Sequence, residues 1–295
     1  MSLGIDLGNE ITKTSRMIKF ASRISKGHKD MNTNDIKVIY KNEPYTVGIG
    51  TPVIGVNRIY SDMYDICLLT AIAKSNNDEV IEENVVLSLP PDLYESSLKK
   101  ELKEKLSNMG MQEIYIDGVR RTIRIKHAEV FCENSIVFSN PKKYKSQRTL
   151  LIDIGGGTTD ISEFNGLQLI KHSSEPLGML PLYDELKKAI NAKYRSKLSS
   201  EDIEHIIGKD EYEIRQEIRD MSFTRFIIAD HVTKICSKVN QSFNYDLCKI
   251  ELIGGGAAPL INYFKSEYPN ISLVEDAQFA NSITNETVGE MLWNS

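Results

Sequence analysis

Two segments of this 295-residue chain share one construction. Residues 3–13 read Leu-Gly-Ile-Asp-Leu-Gly-Asn-Glu-Ile-Thr-Lys, and residues 151–160 read Leu-Ile-Asp-Ile-Gly-Gly-Gly-Thr-Thr-Asp. In each, an apolar strand ends on an Asp, a glycine turn follows, and a β-patterned segment returns. The second unit goes on through strand 158–164, a tight turn at Asn165-Gly166 and strand 167–172, a meander that mirrors the opening of the chain. The pairing predicts a duplicated α/β scaffold with a phosphate site between its halves. Length agrees, because 295 residues exceed the usual single core.

Hydrophobic periodicity fills in the rest. Segments 36–40 and 45–49 flank Asn42-Glu43-Pro44 as a hairpin, after a polar stretch at 22–34 that reads as a surface loop. A helix is expected at 63–74. A buried strand at 85–89 ends at Pro90-Pro91. Leu98, Leu102, Leu106 and Met109 recur at helical spacing before Gly110, a C-terminal cap. Segments 114–116 and 122–125 frame Asp117-Gly118 as a hairpin with a loop longer than two residues. Residues 129–137 read as a helix, and the polar run 140–148 as a crossing between domains. Further helices are expected at 180–194, 201–207, 221–243 and 259–267, with strands at 250–253 and 271–274. A terminal helix over 281–292 is expected to pack back on the first domain.

Composition removes several classes. Net charge is −5, from 36 basic and 41 acidic residues, so the chain as a whole does not attract DNA. The basic run at Lys142, Lys143, Lys145 and Arg148 reads as a solvated loop. No apolar run has the roughly 20 residues of a membrane span, and Asp6 and Glu10 interrupt any signal sequence. Cys67, Cys132, Cys236 and Cys248 form no CxxC pair, and the five histidines are scattered. These features predict reduced core cysteines, no zinc site and a cytoplasmic location.

A polyphosphate is dense negative charge, which backbone N–H groups approach closely where no side chain intervenes. Gly8, Gly155, Gly156 and Gly157 supply that access, with Asn9 beside Gly8, and Thr158 and Thr159 add hydroxyl donors. Asp6 and Asp153 end their strands. Two carboxylates beside a polyphosphate repel it unless Mg²⁺ lies between, and Mg²⁺ takes one or two carboxylates with phosphate oxygens. Lys13 can neutralise phosphate charge. Alone, a Gly-Gly-Gly run is more often a structural turn, and an Asp after a strand more often a cap; the ordered set is what points to phosphate. The glycines are followed by no Gly-Lys-Ser/Thr, which excludes a Walker A loop. They are adjacent and lead into a β-patterned segment, which excludes a dinucleotide fingerprint.

The ordered set of Asp6–Lys13, Asp153–Asp160 and Ile-Gly-Gly-Gly-Ala-Ala-Pro at 253–259 resembles the actin-like ATPase superfamily, and within it the ParM-type plasmid-segregation actins. The first two segments resemble its phosphate loops, and 252–259, with Gly254, Gly255, Gly256 and Pro259, is similar to its adenosine loop. Residues 88–91 and 280–289 are similar to its connecting segments. Phe279-Ala280-Asn281, with Gly289 eight residues on, resembles the ParM-type tail. The resemblance implies a duplicated ribonuclease H-like (actin-like) α/β fold of two domains around a nucleotide cleft. Domain I would span 1–147 plus 278–295, with a small insertion over about 18–62; domain II would span 148–277, with one over about 192–220. It implies ATP, with GTP the alternative, and Mg²⁺ held by Asp6 and Asp153, the latter also catalytic. It also implies that Glu129, in His127-Ala128-Glu129-Val130, orients the attacking water; the other reading of Glu129 is a charge at a helix start. Glu10 departs from the pattern and must point away from phosphate. No motif identifies the adenine pocket.

The function so implied is a bacterial cytoplasmic ATPase that assembles head to tail into a multi-stranded filament and turns over by hydrolysis. It would move plasmid DNA through a DNA-binding adaptor at a centromere, touching neither DNA nor membrane itself. The alternatives are a non-polymerising ATPase scaffold of the same fold and a small-molecule kinase.

Overall fold

β1 (Ser2–Leu7) has no exposed residue, and burial on both faces places a strand at the middle of a sheet. The structure, a computed structural model, describes residues 2–28, 35–51, 53 and 55–293. It forms two compact units, one of residues 1–140 with 279–295, the other of 141–278.

In the first unit β1 turns into β2 (Ile11–Thr14) and β3 (Lys19–Ala21) as an antiparallel meander. β4 (Ile24–Lys26), β5 (Ile36–Tyr40) and β6 (Glu43–Val47) follow, then helix α1 (Asp62–Lys74). β7 (Val80–Leu89) lies parallel to β1. Helices α2 (Pro91–Tyr94) and α3 (Leu98–Ser107) lead to the hairpin of β8 (Met111–Ile116) and β9 (Val119–Cys132). The sheet order is β3-β2-β1-β7-β9-β8-β5-β6-β4. Leu3, Ile5 and Leu7 share a core with Ile66, Leu69 and Leu102 of α1 and α3. α1 is buried nearly all round, and Ser61 caps it by accepting the Tyr64 N–H at 3.2 Å.

The second unit begins with the short helix α4 (Pro141–Tyr144) and a second meander, β10 (Arg148–Ile154), β11 (Thr159–Asn165) and β12 (Gln168–Glu175). α5 (Met179–Tyr194), α6 (Ser200–Ile206), the hairpin β13 (Glu211–Ile214) and β14 (Glu217–Asp220), and α7 (Thr224–Ser242) follow. β15 (Lys249–Ile253), α8 (Ala257–Glu267) and β16 (Ser272–Leu273) complete it. The order β12-β11-β10-β15-β16 repeats β3-β2-β1-β7-β9, each a meander joined through its first strand to a parallel pair. Leu150, Ile152 and Ile154 pack with Leu182, Ile235 and Phe264 from α5, α7 and α8.

The chain closes on the first unit with α9 (Ala280–Trp293). A Cβ on Gly4 would lie 1.9 Å from Ser282 O and 2.5 Å from Glu286 N. Helix and strand therefore meet backbone to backbone. Asn285 Nδ2 donates to Ile5 O at 3.1 Å, and Asn281 Oδ1 accepts the Asn134 N–H at 3.0 Å.

Three expectations change. Residues 129–132 are the end of β9, a 14-residue strand, and no helix starts at Glu129. Ala128 and Val130 are buried between less buried neighbours, and β7 pairs with that stretch, so period 2 prevails over helical spacing. Asp117 and Gly118, at φ 51° and 83°, make a two-residue loop, because left-handed turns match strand twist and let pairing run to the turn. Within 22–34, residues 24–26 form β4 against β6, and 29–34 lie outside the described residues.

Candidate functional site

The first glycine turn closes on itself through Gly8 N–H donating to Ile11 O at 3.2 Å. A Cβ on Gly8 would lie 2.8 Å from that same carbonyl, so the turn needs glycine here. Asp6, buried at the end of β1, pairs across the meander with Lys13 at 3.2 Å. Glu10 is drawn to Arg23 at 2.8 Å, which answers the repulsion its charge raised. A residue with no signal in the local sequence completes the turn. Arg58, in the 3-10 turn of Val56–Tyr60, donates from Nη1 to Asn9 Oδ1 at 2.7 Å and from Nη2 to Gly8 O at 2.8 Å.

The second turn is held from behind. Gly155 N–H donates to Thr158 O at 2.9 Å. Gly157 O accepts from Gly178 at 3.2 Å, Gly155 O from Met179 at 3.0 Å, and Gly156 O from Leu180 at 2.8 Å. These donors are the N-terminal N–H groups of α5, which helices leave without intrahelical partners. Carbonyl and N–H of one peptide point in opposite directions. Tying back these carbonyls therefore turns the N–H groups of Gly156, Gly157 and Thr158 away from α5. No hydrogen bond among the described residues engages those three N–H groups. Successive N–H groups so arranged form an anion-binding concavity. Gly178 makes the arrangement possible, since a Cβ there would lie 2.4 Å from Gly156 O and 2.6 Å from Thr158 N.

The two threonines separate in role. Thr158 is exposed and donates to Asp160 Oδ2 at 3.0 Å. Thr159 is fully buried, and its hydroxyl donates to Leu177 O at 2.8 Å. It is a strut under the α5 entry, contrary to the expected phosphate donor. Buried His231 of α7 reaches the same carbonyl, Nε2 to O at 3.1 Å, and burial holds its imidazole below the usual range.

The third glycine run joins this turn. Gly256 N–H donates to Ile154 O at 3.0 Å, and Gly254 N–H to Ala277 O at 2.9 Å. Gly254 has φ 90°, and a Cβ on it would lie 2.3 Å from Asp153 Oδ1. A Cβ on Gly256 would meet Ile154 and Met179 within 2.6 Å. Gly255 is exposed with space around it, and Pro259 is half-buried on the first turn of α8. The second unit thus brings Asp153, Gly155–Gly157, Thr158 and Gly254–Gly256 together. No group of three or more His, Cys, Asp or Glu among the described residues is arranged to hold a metal. A single buried carboxylate at a strand end beside an anion-binding turn does fit a Mg²⁺ that takes its other ligands from phosphate and water.

Glu129 stands apart from the first turn within its unit. Gly4 is level with Val86, and Val86 with Glu129. Glu129 therefore lies about 7 Å along the strand direction from the level of Asp6. Its carboxylate pairs with Lys103 of α3 at 2.7 Å and accepts the Val130 N–H at 3.1 Å. Lys103 was not legible as a partner, because α3 and β9 meet only in the fold.

Residues 4–134 match the family described as actin-like proteins, N-terminal domain. No curated protein matches the chain by sequence. Among solved structures, an archaeal actin homologue, Ta0583, in complex with ADP superposes with a TM-score of 0.82 at 17% identity, covering 99% of this chain and 100% of that one. A 15-stranded ParM filament from Clostridium botulinum gives 0.79 at 21% identity, covering 98% and 99%. The ParM protein of psk41 gives 0.75 at 17% identity, covering 99% and 98%.

Proposed function

We propose that this chain, which has the actin-like fold over nearly its whole length and matches the actin-like N-terminal domain at residues 4–134, is a nucleotide-driven filament protein. The observation that carries the nucleotide reading is the second turn. Its carbonyls are tied to α5, its N–H groups are turned away, and Asp153 and the 254–256 loop adjoin it.

In this reading Gly156, Gly157 and Thr158 of the second unit bind phosphate and Gly254–Gly256 with Pro259 take the adenosine side; in the first unit, Gly8, Asn9 and Lys13 are the residues assigned to phosphate. Asp153 and Asp6 hold Mg²⁺, which when bound neutralises phosphate charge. Glu129 accepts a hydrogen bond from the attacking water and aligns it with the terminal phosphate. This requires its carboxylate to leave Lys103. ATP is the proposed nucleotide. The ADP complex of the archaeal homologue supports a nucleotide of that class.

Assembly follows the filaments of the ParM and Alp12 neighbours. The nucleoside triphosphate form joins head to tail, a heterologous contact that extends without closing. Hydrolysis then weakens those contacts. The cargo we propose is plasmid DNA held through a DNA-binding adaptor, which suits a chain of net charge −5. No helix among the described residues is long and apolar enough to cross a membrane.

The test is 90° light scattering of the purified protein on addition of Mg-ATP, with Mg-ADP as control, phosphate release in parallel and negative-stain microscopy of the same sample. A nucleotide-dependent rise with filaments is expected. Phosphate release without any rise would replace the filament reading with a non-polymerising ATPase.

A further inference from the structure

Arg58 is a half-buried cation without an acidic partner among the described residues. It forms no ion pair with any described carboxylate, and its hydrogen bonds go to two neutral acceptors, Asn9 Oδ1 and Gly8 O, both on the first glycine turn. Its Nε is buried without a hydrogen-bond partner. Below it the Tyr64 ring lies 5.7 Å from the guanidinium carbon. Asp65 of α1 is paired with Lys105 at 2.5 Å. The contrast with other cations of this unit is direct, since Lys13 is neutralised by Asp6 and Arg23 by Glu10. An unneutralised guanidinium removed from part of its water costs free energy unless an anion completes it. Its planar fork suits phosphate oxygens, and two of its five N–H donors already grip the turn.

We propose that Arg58 is a polyphosphate-positioning residue, which clasps the first turn and contributes its unpaired charge to the phosphates of the bound nucleotide. Its role rests on the nucleotide reading above. The clasp has a steric logic too. With Gly8 O held by Nη2, the Gly8–Asn9 peptide is fixed in orientation. The turn is presented to an anion already ordered, which lowers the cost of binding. The position lies 50 residues from Gly8 and is set by the 3-10 turn that precedes α1. Only the fold brings it there.

The experiment compares the wild type with Arg58→Gln and Arg58→Lys in the full chain. It measures affinity for Mg-ATP and Mg-ADP by titration calorimetry at two salt concentrations, and the thermal midpoint of the nucleotide-free protein. Loss of a charge-assisted hydrogen bond predicts affinity weaker by on the order of tenfold or more in Arg58→Gln. Its binding should also depend less steeply on salt, because one cation has left the site. Arg58→Lys should keep the salt dependence and recover part of the affinity. Unchanged affinity in Arg58→Gln, with or without a lower thermal midpoint, would overturn the proposal and leave Arg58 a structural clasp. So would weakened affinity with the salt dependence intact, since the charge would then play no part. A wild-type protein that binds neither nucleotide would overturn the nucleotide reading itself, and this proposal with it.

Discussion

At the scale of single residues, chemistry here depends on what each polar group is already bound to. Asp6 and Asp153 end equivalent strands, yet Asp6 is paired with Lys13 while Asp153 borders Gly254 and the second turn. Thr158 and Thr159 are neighbours in sequence, but Thr158 lies exposed in the glycine turn while Thr159 opens β11 and is buried. Glu129 is the residue whose role is most open to measurement. Glu129→Ala should bind Mg-ATP with wild-type affinity and release phosphate on the order of a hundredfold more slowly. Lys103→Ala, which frees the carboxylate from its 2.7 Å ion pair, should keep phosphate release at or above the wild-type rate. Single-turnover phosphate release checks both, and normal release by Glu129→Ala would remove Glu129 from the reaction. The glycine runs and the two aspartates were legible in the sequence because each sits in an unbroken local motif. Gly178, Lys103 and Arg58 were not, because each acts on a motif at least 20 residues away from it.

At the scale of elements, two contacts bind the units internally and make separate predictions. β1 and α9 touch through Gly4, where a methyl group would overlap Ser282 O. Gly4→Ala should therefore destabilise the first unit by about 3 kcal/mol, the cost of overpacking a buried contact. Urea unfolding followed by the fluorescence of Trp293, which stacks on His127 at 6.0 Å within the same unit, checks it. Retention of the wild-type midpoint would mean that α9 seats elsewhere. In the second unit, α5 anchors the glycine turn at its N-terminus, and Thr159 and His231 brace the segment before it through Leu177 O. Burial depresses the His231 pKa below the usual imidazole range, near 6.5. The unfolded chain thus binds the extra proton first as pH falls. His231 contributes its full stabilisation above about pH 6.5 and loses it as the pH drops through the lower folded value. The urea midpoint of the second unit should fall between about pH 8 and pH 5.5, and fall less in His231→Gln. Equal slopes would show that His231 titrates outside this network. The strands were readable from alternation and apolar runs. The segment at 129–132 was misread as a helix start because its pairing partner, β7, lies more than 40 residues away.

At the scale of the whole molecule, duplication is the organising fact. The five-strand order β12-β11-β10-β15-β16 repeats β3-β2-β1-β7-β9 of the nine-stranded sheet, and in each unit a glycine turn follows the first strand of the meander. The Glu129→Ala chain carries the prediction to this scale, since filaments that hydrolyse slowly should persist longer after ATP addition. Scattering that decays at the wild-type rate would separate disassembly from hydrolysis. The sequence by itself determined the duplicated strand-turn-strand units, the glycine runs beside Asp6 and Asp153, and the acidic balance. Each is local, written in consecutive residues whose sterics and charge need no distant partner. Only the tertiary structure decided that α5 would turn the second loop's N–H groups outward, that Glu129 would sit on a strand bound to Lys103, and that Arg58 would grip Gly8. Those outcomes depend on packing between segments far apart in the chain, and short-range pattern carries no record of which distant side chain a fold will bring into reach.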